Sequence, residues 1–130
     1  MSNNSRWRAA PVESICKLAD CKRVLATARN PGAGKPLHKN IRLVRLDNGD
    51  YAIRYYDTDV VTYHLDNTVT LDNGGWQTKS TKETISSFSP FNIYQEKGRW
   101  IVTVGDFRFP FTRCMRIDLE TYAVVETAGV

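Results

Sequence analysis

The sequence predicts an α+β fold: one N-terminal amphipathic helix packed on a bent antiparallel β-sheet of hairpins, with one short inserted helix. Three observations predict it. Apolar residues between Ile15 and Ala26 recur at three- and four-residue steps, the period of a helix. Beyond Asn40 the apolar residues alternate with polar ones in short runs, the period of a strand. Turn residues separate those runs at close spacing, as in Asp47-Asn48-Gly49-Asp50 and Asp72-Asn73-Gly74-Gly75, and such turns join strands as hairpins. Those spacings accommodate about six to eight strands.

Residues 1–10 are polar and basic and form an arm; residues 11–130 form a single α+β domain. The chain of 130 residues is one domain in size and buries a core without disulfides or metal. In the arm, Arg6-Trp7-Arg8 suits either stacking on bases with phosphate neutralisation or a tryptophan laid on the domain surface. A helix is expected from Pro11 to about Arg29, with Pro11 in its first turn and Ile15, Leu18, Ala19, Lys22, Leu25 and Ala26 on its apolar stripe. Lys17 and Arg23 fall outside that stripe and face water or a partner. Asn30-Pro31-Gly32-Ala33-Gly34-Lys35-Pro36 ends the helix as a loop. Gly34-Lys35 is no phosphate loop: the earlier glycine, the following Ser/Thr and the preceding strand are missing.

Ile41–Leu46 and Tyr51–Tyr56 read as a hairpin, with Tyr51, Ile53 and Tyr55 on one face and Ala52, Arg54 and Tyr56 on the other. Val60 to Tyr63 and Thr68 to Leu71 form a second hairpin over Asp66-Asn67, since both turn residues tolerate left-handed geometry. His64, placed on the first of these strands, reads as structural. Trp76 follows the double-glycine turn and either caps the core or stands out as a stacking platform. Ser80-Thr81-Lys82-Glu83 fits a capping box with Ser80 at the N-cap, which predicts a helix from Thr81 to about Phe88. Thr78, Lys79, Ser80, Thr81 and Lys82 put hydroxyls, cations and free N–H groups at its start, a combination suited to an anion or to plain capping with solvated lysines. Asn92–Gln95 and Arg99–Val104 make a third hairpin with Trp100, Val102 and Val104 inward. Phe107, Phe109 and Phe111 share a face that is assigned to the core, with a binding surface as the alternative; Pro110 makes that stretch an edge strand or an extended loop. Arg113–Asp118 and Thr121–Glu126 close the chain as a hairpin over Leu119-Glu120, and the last residues fray.

One stretch carries a resemblance. Thr58-Asp59-Val60-Val61-Thr62, Thr68-Val69-Thr70-Leu71, Gly74-Gly75-Trp76-Gln77-Thr78 and Thr81-Lys82 resemble a segment of small proteins of tailed bacteriophages. The resemblance implies a phage setting and no particular activity; the cysteine usage and the lack of signal-peptide and membrane signals give the expected location, the cytoplasm of the bacterial host. Gln77 and Thr84 stand where such proteins often carry basic residues.

Hydrophobic residues at 42% and charged residues at 25% are ordinary globular values and argue against wholesale disorder. The net charge of +4 hides an asymmetry. Up to Arg45 there are ten Lys/Arg against two Asp/Glu; from Leu46 to Gly75 there is one Arg against six Asp. Either the basic third faces nucleic acid or an acidic partner, or it folds against the acidic middle. Three cysteines without C-x-x-C spacing fit reduced thiols rather than zinc. The opening residues lack a signal-peptide core, and no apolar run spans a membrane.

These features predict a non-catalytic protein that needs no cofactor or metal. Its expected partner is nucleic acid, DNA or RNA, held by Arg6, Trp7, Arg8, Lys17, Arg23, Lys35, Lys39, Arg42 and Arg45, with Trp76, Lys79 and Lys82 assisting. A second reading is an inhibitor docking on a host protein complex, of anti-defence or anti-CRISPR type. A third, a metal-dependent nuclease, draws only on the aspartates of the middle segment.

Overall fold

The computed structural model describes residues 15–125. The arm at 1–10 with Arg6, Trp7 and Arg8, the start of the expected helix at Pro11, and the last five residues lie outside them. Among the described residues two α-helices, a short 3-10 turn and ten strands follow in order. These are α1 (Leu18–Leu25), the 3-10 turn (Pro31–Ala33), β1 (Lys35–His38), β2 (Ile41–Arg45), β3 (Tyr51–Tyr55), β4 (Thr58–Tyr63) and β5 (Thr68–Leu71). Then come α2 (Lys79–Ser87), β6 (Asn92–Glu96), β7 (Arg99–Val104), β8 (Phe107–Pro110), β9 (Met115–Asp118) and β10 (Val124–Val125). The predicted α+β class is the observed one, but the strands divide into two sheets. Seven run in the order β1-β2-β3-β4-β5-β9-β10 and three in the order β6-β7-β8, all antiparallel.

Register explains the core. Leu43, Ile53, Val61, Leu71 and Met115 lie opposite one another across five strands, and all are buried. Tyr51, Tyr63, Val69 and Ile117 make a second buried row beside them. Side chains on one face alternate with period two, so one alternation per strand fills both rows. A bulge between Ile53 and Arg54 pairs Val61 with Ile53 and Asp59 with Arg54. Val60 is the extra residue, and it is buried together with Val61; an unbroken alternation would expose one of them.

Helix α2 packs against β4 and β6 and so links the two sheets. Ile85, Phe88 and Phe91 bring its carboxyl end into the same buried cluster as Trp100 and Val102. The Tyr63 hydroxyl, buried beneath, donates to the Phe88 carbonyl at 2.7 Å and to that of Ile15 at 3.3 Å. One phenol thus ties the N-terminal segment to the end of α2.

Several local expectations change. The first helix covers Leu18–Leu25 among the described residues, and its buried face is Cys21, Val24 and Leu25, while Ala19, Lys22 and Ala26 are exposed. Residues with little apolar surface lose the competition for the core. Lys35 and Pro36, expected in a loop, begin β1, an edge strand with a register shift beside Pro36. The N-cap of α2 is Thr78, whose hydroxyl accepts from the Thr81 N–H, not Ser80. Among the three phenylalanines assigned to the core, Phe107 is 51% exposed and the other two half-buried; Phe107 lies against Tyr122 and Phe111 against Trp100. Of the thiols only Cys21 is buried, and burial pushes it up to about 12.

Candidate functional site

The charge asymmetry resolves through contacts far apart in sequence. Asp72 accepts from Arg113 at 2.9 Å, Asp66 from Arg116 at 3.0 Å, and Asp59 from Arg54 at 2.6 Å. The acidic middle is matched by its own arginine and by two from the carboxyl end. Among the described residues, none of its aspartates forms an ion pair with a lysine or arginine of the first third.

The sequence-selected cations therefore sort by what they touch. Lys35 donates to the Thr27 hydroxyl at 2.9 Å, and Arg42 to the carbonyls of Ala33 and Gly34. These two brace the 3-10 turn. Arg23 pairs with Asp20 one turn back. Lys82 reaches Gln95 at 3.4 Å. Lys17, Lys39, Arg45 and Lys79 have no carboxylate within ion-pair distance among the described residues, and all are exposed. They do not form one patch. Arg45 lines a hollow of about 540 Å³ with Lys22, Asp47 and Tyr51, where α1 meets the β2–β3 end. Lys39 lies in the β1–β2 turn beside Asn40, at the other end of the sheet.

At that other end lies a cleft of about 440 Å³ bounded by the β3–β4 turn, the Asn73–Trp76 turn and the amino end of α2. Trp76, not a core cap, is 66% exposed on its rim, and Tyr56 is 63% exposed. Tyr56 has φ 54°, a conformation that bulky residues seldom adopt. It is held there by its N–H on the Asn40 carbonyl at 2.9 Å, by Asn40 Nδ2 donating to its hydroxyl at 3.0 Å, and by the Tyr55 ring at 4.7 Å. The Tyr55 hydroxyl meets Ser80 Oγ at 2.9 Å, which seats the amino end of α2 against the sheet.

Trp76 is fixed by its turn. Its N–H donates to the Asn73 carbonyl, that of Gly75 to Asn73 Oδ1, and that of Gly74 to Asp72 Oδ1. Gly74 has φ 64°, and a Cβ there would stand 2.5 Å from Thr58 Oγ1, so only glycine suits the turn. Asn73 is 3% exposed and lines the cleft.

Burial alone would raise Asp72, but the Arg113 guanidinium and the N–H groups of Gly74 and Asn73 outweigh it and hold its carboxyl below the ordinary range. Asp66 is lowered too, first by the Thr68 hydroxyl, then by the Thr68 N–H and Arg116. Both folded values lie below the unfolded one, so both groups add stability above the unfolded value, which falls away as pH drops through the folded one. Melting temperature is therefore expected to fall below about pH 4, and Arg113→Gln to flatten that fall while lowering the melting temperature at neutral pH. Thermal melts at pH 2 to 7 check both.

Sequence reading missed a second cluster. His64 lies just beyond β4, with Nδ1 at 2.6 Å from Asp50 and Nε2 at 2.6 Å from the Thr70 hydroxyl. A carboxylate only accepts, so Nδ1 donates. The order acid, imidazole, hydroxyl is that of a nucleophilic triad. Thr70, however, sits in β5 between β4 and β9, where backbone N–H groups serve the ladder, and the cluster offers no pair of donors for an oxyanion. Asp50 also accepts from the Leu65 N–H and from Asn48 Nδ2, both at 3.1 Å. It clamps the β2–β3 turn to the β4–β5 turn.

The fold and the cleft define the chain as a small hairpin-sheet protein with an aromatic-rimmed cleft at a helix start. The family model described as Kyanoviridae Gp96 protein matches residues 34–118; the chain belongs to that family, one of tailed bacteriophages. The matched span begins at β1 and ends with β9, so it holds both sheets, α2 and the cleft, and leaves out α1. No curated protein matches the chain, and no solved structure does. No helix among the described residues is long and apolar enough to cross a membrane.

Proposed function

We infer that this phage protein is a non-catalytic accessory factor that binds nucleic acid through basic surface in the bacterial host cell. One observation carries the reading: among the described residues, three of the six aspartates of the acidic middle take Arg54, Arg113 and Arg116 and a fourth takes His64, while none forms an ion pair with a cation of the first third. Lys17, Lys39 and Arg45, with Lys79, keep their charge for an external partner, as phosphate binding requires. The test is anisotropy with labelled single- and double-stranded DNA and RNA across a salt series. Log affinity is expected to fall linearly with log salt, each phosphate neutralised adding about 0.7 to 0.9 to the slope. Weak binding that ignores salt would overturn it.

An inhibitor of a host protein complex is the second reading, favoured by Tyr56, Leu65, Trp76 and Phe107 standing exposed, since exposed aromatics anchor protein interfaces. Capture of one defined complex from nuclease-treated lysate would support it over the first. A nuclease was the third reading; among the described residues no three His, Cys, Asp or Glu come together as a metal site, so no cluster there adds support to it.

A further inference from the structure

We propose that the cleft between Tyr56 and Trp76 takes one unpaired nucleotide of a bound strand, its base against the rings and its phosphate at the amino end of α2. This rests on the nucleic-acid reading and adds a place and a strand preference to it.

Four features of the cleft converge. Tyr56 and Trp76 are two of the most exposed large side chains among the described residues, and both line this one cavity. Backbone hydrogen bonds fix the main chain at both, and the Tyr56 ring, at a positive φ, is held by Asn40 and Tyr55. Strain of that kind persists only where the surroundings over-determine it, and it collects at binding sites. A rigid exposed ring gives a base a stacking face without an ordering cost.

The second feature is Asn73. It is 97% buried on the cleft wall, and its Oδ1 is taken by the Gly75 N–H. Its Nδ2 has no acceptor among the described residues. That nitrogen is not among the buried atoms left unpaired, so it stays open to water, and a base edge or a phosphate oxygen can replace that water as acceptor.

The third is the start of α2. Thr78 caps it through the Thr81 N–H, which leaves the N–H groups of Lys79 and Ser80 without acceptors among the described residues. The Lys79 ammonium has no carboxylate partner there. Ser80 lines the cleft and Lys79 does not; a free N–H group at the positive helix end suits a phosphate there.

Asp57 is the fourth. It lines the cleft from the β3–β4 turn, and its carboxylate disfavours a phosphate at that end while accepting from an exocyclic base amine. That assigns the base to the tyrosine end and the phosphate to the helix end. A paired base offers no free face to either ring, so the cleft selects unpaired strand.

The test uses the full chain, a labelled 12-nucleotide single strand, the matching duplex, and a nucleoside monophosphate as competitor. Trp76→Ala is expected to weaken single-strand binding about 5- to 150-fold, with duplex binding and melting temperature unchanged. Asn73→Asp keeps the Oδ1 acceptor for the Gly75 N–H while removing the amide donor, and is expected to act in the same direction. Lys17→Gln combined with Arg45→Gln, away from the cleft, should weaken strand and duplex alike. If Trp76→Ala leaves strand binding intact while the charge variant weakens both, the cleft proposal falls and the nucleic-acid reading stands. If neither strand nor duplex binds, both fall. Monophosphate binding that Trp76→Ala abolishes, without strand binding, would make a free nucleotide the occupant and overturn the strand assignment.

Discussion

Phe88→Ala is expected to lower the unfolding free energy by about 3–5 kcal/mol. Phe88 is fully buried at the C-cap of α2, in the cluster that joins both sheets. Removing the ring empties a site walled by β-sheet on more than one side, which collapses poorly, so the cavity adds to the lost transfer energy. The loss also loosens the Phe88 carbonyl, the acceptor for the Tyr63 hydroxyl. Urea melts check the value. Tyr63→Phe is the control: it keeps the ring, deletes one buried hydroxyl and should cost about 1–3 kcal/mol. A Phe88→Ala loss no larger than that would mean that α2 is held by its amino end alone.

Asp50→Ala is expected to cost about 3 kcal/mol, because it strips a nearly buried acceptor from several donors at once. His64 Nδ1, the Leu65 N–H and Asn48 Nδ2 all converge on that carboxylate. The same clamp joins two hairpin turns, so hydrogen exchange should speed up in both the β2–β3 and the β4–β5 turns. Asp50→Asn should fall between: its amide oxygen still accepts, but its NH2 opposes a donor. Faster exchange in one turn only would show that the clamp is not shared.

What could be read from the chain depended on how local its cause was. The β2–β3 hairpin was legible because Asp47-Asn48-Gly49-Asp50 dictates its own reversal. The inward set Trp100, Val102 and Val104 was legible from alternation alone, and all three are buried. The cap of α2 was not: Ser80-x-x-Glu83 fits the capping box and Thr78-x-x-Thr81 does not, yet Thr78 caps the helix while Tyr55, 25 residues away, engages Ser80. The Val60 bulge likewise has no local mark. Two ion pairs of the acidic middle run to Arg113 and Arg116, which lie 41 and 50 residues from their aspartates. Counting charges by segment cannot see such pairs. Of the cleft, Trp76 and the start of α2 were legible as alternatives, whereas Tyr56 read as one more strand residue and Asn73 as one more turn residue.

The rims of the two sheets carry a final consequence. β1 contains Pro36 beside a shift of register, and β8 ends on Pro110. Neither proline has an amide hydrogen to offer an incoming chain, and a kinked border pairs badly. Strand-by-strand stacking of copies into fibres is frustrated along those two of the four borders.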